Sequence, residues 1–116
     1  MKVTRINEAT LHRIIKEAVN NILNSNKYQV SFTFYVAIEN ASIKDKLLRL
    51  LDRMKEIVNC DVEEDEEDWC INCIAEITAE SIKEVMPKMN QLLGNINLTW
   101  DYHYIKGLNT SEYWEP

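Results

Sequence analysis

Apolar residues recur along this chain with two different periods, and each change of period marks a new element. Leu11, Ile14, Ile15, Ala18, Val19, Ile22 and Leu23 draw one stripe down a helix. Asn7 stands where an N-cap belongs, Glu8 falls in the first turn, and Asn24, Ser25 and Asn26 close the helix, which is predicted over 7–24. From Tyr28 to Glu39 the period becomes two. Tyr28, Val30, Phe32, Phe34, Val36 and Ile38 share one face, and Gln29, Ser31, Thr33, Tyr35, Ala37 and Glu39 share the other. That is a long strand with one buried face. Helical spacing returns in Ile43, Leu47, Leu50, Leu51, Met54, Ile57 and Val58, with Ser42 and Asp45 at capping-box spacing.

Two shorter alternations follow. Val58, Cys60 and Val62 predict a short strand, Glu64 to Asp68 a hairpin loop, and Trp69 to Thr78 the returning strand. Ile82, Val85, Met86, Met89, Leu92 and Leu93 form a third helical stripe, capped by Thr78 or Ser81 and stopped by Gly94. Pro87 should kink that helix or split it. Leu98, Trp100, Tyr102 and Tyr104 then alternate with Asn97, Thr99, Asp101 and His103 in a last strand. Behind the first helix the order is β-α-β-β-α-β. It predicts an α+β, ferredoxin-like split β-α-β domain with an antiparallel sheet and an extra N-terminal helix. A length of 116 residues fits one domain: helix 7–24, core 28–105 and tail 106–116.

The segment DVEEDEEDWCINCIAEI holds the most conspicuous local chemistry. W-C-x-x-C matches a thioredoxin-type redox motif, but that motif opens a helix, whereas the residues after Cys73 favour a strand. In a strand, Cys70 and Cys73 point to opposite faces and cannot share a metal or a disulfide. Cys60 and Cys73 read as small core hydrophobes. No metal site and no cofactor are expected.

Charge changes the picture at one place. The net charge is −6. Asp61, Glu63, Glu64, Asp65, Glu66, Glu67 and Asp68 supply seven of the 19 acids, and the others nearly balance the 13 Lys and Arg. This acidic loop is therefore the predicted partner-binding element, suited to a protein with a basic surface. Direct nucleic-acid binding is not expected. The third strand lacks the basic, glycine-containing signature of RNA-binding sheets of this order. Glycine-rich phosphate loops, H-E-x-x-H and G-x-S-x-G are absent from the sequence. His103, near Asp101 and Tyr35, is the one candidate for acid-base or ligand chemistry on the sheet's open face. No catalytic residue is assigned, and an enzyme is not the leading expectation.

Tyr35 and Ile74 on the open face, with Tyr113 and Trp114 in the tail, are candidate interface residues, and a homodimer is one expected use of them. Met1 to Leu23 carries charges throughout and has no continuous apolar core, so no secretory leader is expected. No apolar run approaches the roughly 18 residues that span a membrane. Three cysteines cannot all pair within one chain. A reducing, cytoplasmic setting fits.

The stretch Thr10-Leu11-His12-Arg13-Ile14-Ile15-Lys16-Glu17-Ala18-Val19, running to Ile22-Leu23, resembles the opening helix of many small proteins from bacteriophages and mobile elements of Bacteroidetes-type bacteria. The small, acidic profile also resembles anti-CRISPR and related anti-defence inhibitors. That resemblance implies a binding module that inhibits a host nucleic-acid-binding defence protein through the acidic loop. The alternatives are a self-associating structural or accessory protein, and a small enzyme or ligand binder using the open sheet face.

Overall fold

The computed structural model describes residues 25–116, so the predicted helix 7–24 lies outside the described residues. The elements run β1 (Asn26–Ala37), α1 (Ala41–Asp52), β2 (Ile57–Glu64), β3 (Asp68–Ala79), a 3-10 turn (Ile82–Glu84), α2 (Val85–Leu93), β4 (Thr99–Gly107) and β5 (Tyr113–Trp114). The fold is α+β. Its five strands form one antiparallel sheet in the order β2-β3-β1-β4-β5.

β1 lies at the centre, paired with β3 along its whole length and with β4 over most of it. Its period of two puts Tyr28, Val30, Phe32, Phe34 and Val36 on one face, each at most 2% exposed. Ile71, Cys73, Ala75 and Ile77 of β3 extend that face, and Leu47, Leu51, Val85, Met89 and Leu93 of the helices close over it. Both described helices therefore cover the same side. An aromatic chain continues the core toward β5: Phe32, Trp100, Tyr102 and Trp114 meet edge-on at successive centroid distances of 5.6, 4.8 and 5.6 Å. Such geometry adds about 0.5–1.5 kcal/mol per pair beyond area burial.

Several local expectations need correction. α1 starts after Asn40, and no described side chain caps it, so Ser42 and Asp45 form no capping box. The buried residues of α1 are Leu47 and Leu51, with Leu48 packed beside them, while Ile43 and Leu50 are 40% and 41% exposed. Only the Leu47–Leu51 side of α1 faces the sheet, so its buried face is narrower than the apolar spacing predicts. The helix ends at Asp52, so Ile57 and Val58 belong to β2. Ser81 precedes the 3-10 turn without a side-chain cap bond, and Thr78 lies inside β3.

Pro87 acts as its position demands. A 3-10 turn comes first and α2 begins at Val85, so Pro87 sits in the first helical turn, where its missing N–H breaks no bond. Gly94 ends α2 with φ −61°, in right-handed geometry. Glycine is needed there for space, because a Cβ would come within 2.8 Å of the Asn90 carbonyl oxygen.

The tail is built into the sheet. Gly107 N–H donates to the Glu112 carbonyl (2.8 Å), Leu108 N–H to the Lys27 carbonyl (2.8 Å), and Tyr28 Oη to Glu112 Oε1 (2.5 Å). A Cβ on Gly107 would sit 2.6 Å from the Thr110 carbonyl oxygen, so only glycine allows this return.

Phe32→Ala should lower stability by about 3–5 kcal/mol in urea unfolding. Leu50→Ala, at a position that a uniform helical stripe would bury, should change it by no more than about 0.5 kcal/mol. Equal losses at both positions would contradict this assignment of the buried face.

Candidate functional site

The acids do not form one loop. Asp61, Glu63 and Glu64 belong to β2, Asp68 opens β3, and only Asp65, Glu66 and Glu67 make the turn. The alternation of β2 and β3 runs further toward the tip than a solvated charge run suggests, because the ladder between them continues to Glu64 and Trp69. The turn is held by Asp65 N–H to the Asp68 carbonyl (2.8 Å), Glu66 N–H to Asp65 Oδ1 (2.7 Å), and Ile38 N–H to the Glu67 carbonyl (3.0 Å). At its base, Lys44 Nζ lies 4.0 Å from the centre of the Trp69 ring, and Trp69 Nε1 donates to the Ile38 carbonyl (3.3 Å).

These bonds set the phase of the ladder. Antiparallel pairs alternate between bonded and non-bonded. The Asp65–Asp68 bond makes Glu63–Cys70 and Asp61–Asn72 bonded pairs, and leaves Val62–Ile71 and Cys60–Cys73 non-bonded. The backbone groups of Cys60, Val62 and Glu64 therefore point away from β3. No strand among the described residues pairs with that outer edge. Nor does any described Lys or Arg form an ion pair with the seven acids; the ion pair among the described residues joins Lys44 and Asp45 (3.4 Å). The field of the acids reaches Cys70, whose thiol is pushed up by burial and then by Asp65, Asp68 and Glu63.

The sheet's second face carries a polar chain. Thr33, 2% exposed, donates from Oγ1 to Asn72 Oδ1 (2.6 Å). Toward His103 Nε2, 2.5 Å away, Thr33 Oγ1 must then accept, so Nε2 donates. Sequence reasoning picked out His103 but missed Thr33 and Asn72. They occupy polar positions of neighbouring strands, and only the register brings them together. Tyr35 and Ile74 lie half-buried on this same face. Burial, then Asp101, Cys70 and Asp68, raise the Tyr35 phenol.

A β-bulge corrects the reading of β4. Ser31 pairs with Tyr104 and Phe32 with Tyr102, so His103 is the extra residue. The bulge turns Tyr104 onto the second face beside His103, where Gln29 Nε2 donates to its hydroxyl (2.7 Å). It also separates the two tail aromatics. Tyr113 stacks on Tyr104 at 6.1 Å and stays exposed, while Trp114 packs against Tyr102 on the helix side. They do not form one interface patch. Burial pushes the Tyr102 phenol up to about 12, and its hydroxyl has no hydrogen-bond partner among the described residues.

The cysteines follow the predicted faces in part. Cys70 lies on the second face and Cys73 in the core. Cys60 is only half-buried on the terminal strand, and its Sγ is 3.5 Å from that of Cys73. A turn centred between Glu66 and Glu67 sets these two opposite each other, a signal that was available in the sequence.

Neither a protein-family model nor a curated protein matches the sequence. Among solved structures, the chain is similar to the crystal structure of an AsnC family transcriptional regulator from Agrobacterium tumefaciens. The TM-score is 0.48 and the identity 10%, over 93% of this chain and 74% of that one.

Thr33→Val keeps the shape but leaves Asn72 Oδ1 and His103 Nε2 without their shared partner. The expected loss in urea unfolding is about 1–3 kcal/mol. Tyr102→Phe removes a buried hydroxyl that has no partner among the described residues, and should leave stability unchanged or raise it by up to about 1 kcal/mol. Below the ordinary tyrosine value of about 10, Tyr102 is protonated in both folded and unfolded chains. Between there and about 12 the unfolded chain loses the proton more readily, so stability should fall as pH rises. Tyr102→Phe should show a shallower fall when unfolding is measured across that window.

Proposed function

We propose that this chain is a non-enzymatic protein-binding module of ferredoxin-like fold, whose partner lays a basic, extended segment along β2 and its acidic turn. One observation carries the reading. β2 is a terminal strand with outward backbone groups at Cys60, Val62 and Glu64, and its acids have no described counter-charges. An added strand takes its affinity from main-chain bonds and its specificity from alternate side chains. Asp61 and Glu63 line the second face of β2, and Val62 faces the helix side, 41% exposed. Lys or Arg alternating with an apolar residue is the complementary pattern.

The same acids oppose pairing of β2 with a second copy, because like charges would be set against each other. A homodimer, on this reading, would use another surface. Lys and Arg that otherwise hold phosphates are natural counterparts for the acids, which fits a host nucleic-acid-handling protein as the target. The resemblance of the first residues to phage and mobile-element proteins agrees with that partner class. The Asn72–Thr33–His103 chain supports a second reading, in which the second face binds a small polar ligand.

The test uses a fluorescent peptide of alternating Arg and Val, with anisotropy measured on the full chain. Asp61→Lys combined with Glu63→Lys should weaken binding about tenfold or more at low salt, with the difference shrinking as salt rises. Val62→Pro removes one outward N–H and leaves the charge unchanged, as an edge strand tolerates. It should weaken binding at every salt concentration. Binding that ignores the charge reversal would sink the proposal. Loss on charge reversal with none for Val62→Pro would leave an electrostatic contact without strand addition.

A further inference from the structure

The cysteine pair carries an inference independent of the partner reading. Cys60 and Cys73 are directly opposite on β2 and β3, in a non-bonded pair. Such pairs have Cα atoms about 4.5 Å apart and side chains on the same face. Disulfides span Cα separations of roughly 4.4–6.8 Å, so the backbone here already suits one. The sulfurs, at 3.5 Å, need only close to about 2.05 Å, a movement that side-chain rotation supplies. Cys70 is excluded, because it points to the other face of β3.

The two thiols differ in the way a stepwise oxidation requires. Cys60 sits half-buried on the terminal strand and lines a shallow groove with Leu48, Arg49 and Asp52, open to a small oxidant. Cys73 is 1% exposed, so it can react only through its neighbour. The hydrogen bond between them lowers the Cys60 thiol against the opposing effects of burial, Asp52 and Asp61. That same bond, followed by burial, raises Cys73 and keeps its proton in place. The first thiolate to form is the accessible one.

We propose that Cys60 and Cys73 are a redox pair, in which Cys60 is oxidised by a hydroperoxide and Cys73 resolves the product into a cross-strand disulfide. The Cys60 thiolate attacks one peroxide oxygen, the O–O bond breaks, and a sulfenic acid forms as hydroxide leaves. The Cys73 sulfur then attacks Cys60 Sγ and the S–O bond breaks. The departing hydroxide takes the Cys73 proton and leaves as water. Two thiols and one hydrogen peroxide thus give one disulfide and two waters; the sulfurs lose two electrons and the peroxide oxygens gain them. The product staples the terminal strand β2 to β3 next to the acidic turn.

The full chain is treated with hydrogen peroxide, remaining thiols are alkylated under denaturing conditions, and the peptides are mapped by mass spectrometry. The expected product is two hydrogens lighter, carries one alkyl group on Cys70, and yields a Cys60–Cys73 linked peptide. Its Tm should rise by about 5 °C or more and return on reduction with dithiothreitol. Cys70→Ser should form the same link, and Cys60→Ser should form none. The Cys70→Ser result stands by itself if Cys60→Ser fails to fold. Over-oxidised Cys60 with Cys73 still free to alkylate, or any link through Cys70, would overturn the proposal.

Discussion

The fold depends on β1 being paired on both sides while one of its faces is sealed. Asn26–Ala37 bonds to β3 on one edge and β4 on the other, both antiparallel. Its inner residues Tyr28, Val30, Phe32, Phe34 and Val36 form the floor on which both described helices rest. A one-residue slip of β1 would turn every one of them to the other side, so burial fixes register as well as position. The neighbouring strands inherit that register, and the contacts of the second face follow from it.

A sheet centred on β1 must end somewhere, and it ends in two different ways. On one side the tail returns through Gly107 and Glu112 to add the two-residue strand β5, a short edge. On the other side β2 is a longer edge whose outward groups meet no described strand. Charge is one of the ways proteins keep such an edge from pairing with its own copies. On the proposed reading, the acids of β2 and its turn would oppose self-pairing and select a basic partner in the same physical act. Surface charge pairs are individually weak, about 0.2–1 kcal/mol, so the backbone groups rather than the carboxylates would supply most of the affinity.

Much of this was legible in the residue pattern. The strand alternation of β1 and β3 placed Cys70 and Cys73 on opposite faces, as the structure has them. Pro87 and Gly94 marked the divided third helix and its end. The errors came where a regular period was extended too far. The stripe of α1 counted Ile43 and Leu50 as buried although the helix rests on the sheet over a narrower face. The alternation of β4 was carried past His103, where the bulge reverses it for Tyr104. A bulge adds one residue without any composition signal, so a periodic reading passes straight through it.

The sequence by itself determined which residues could be inside, the order and type of the elements from β1 to β4, and the concentration of negative charge near one turn. Those properties are local, since each depends on spacing within one element. Only the tertiary structure decided which strands lie at the edges, which backbone groups face outward, and which side chains meet across a ladder. It set Thr33 between Asn72 and His103, Cys60 against Cys73, and Tyr113 and Trp114 on opposite faces. Those are properties of pairing between distant segments. Pairing is settled by register and by the burial of the whole β1 face, which no single segment encodes.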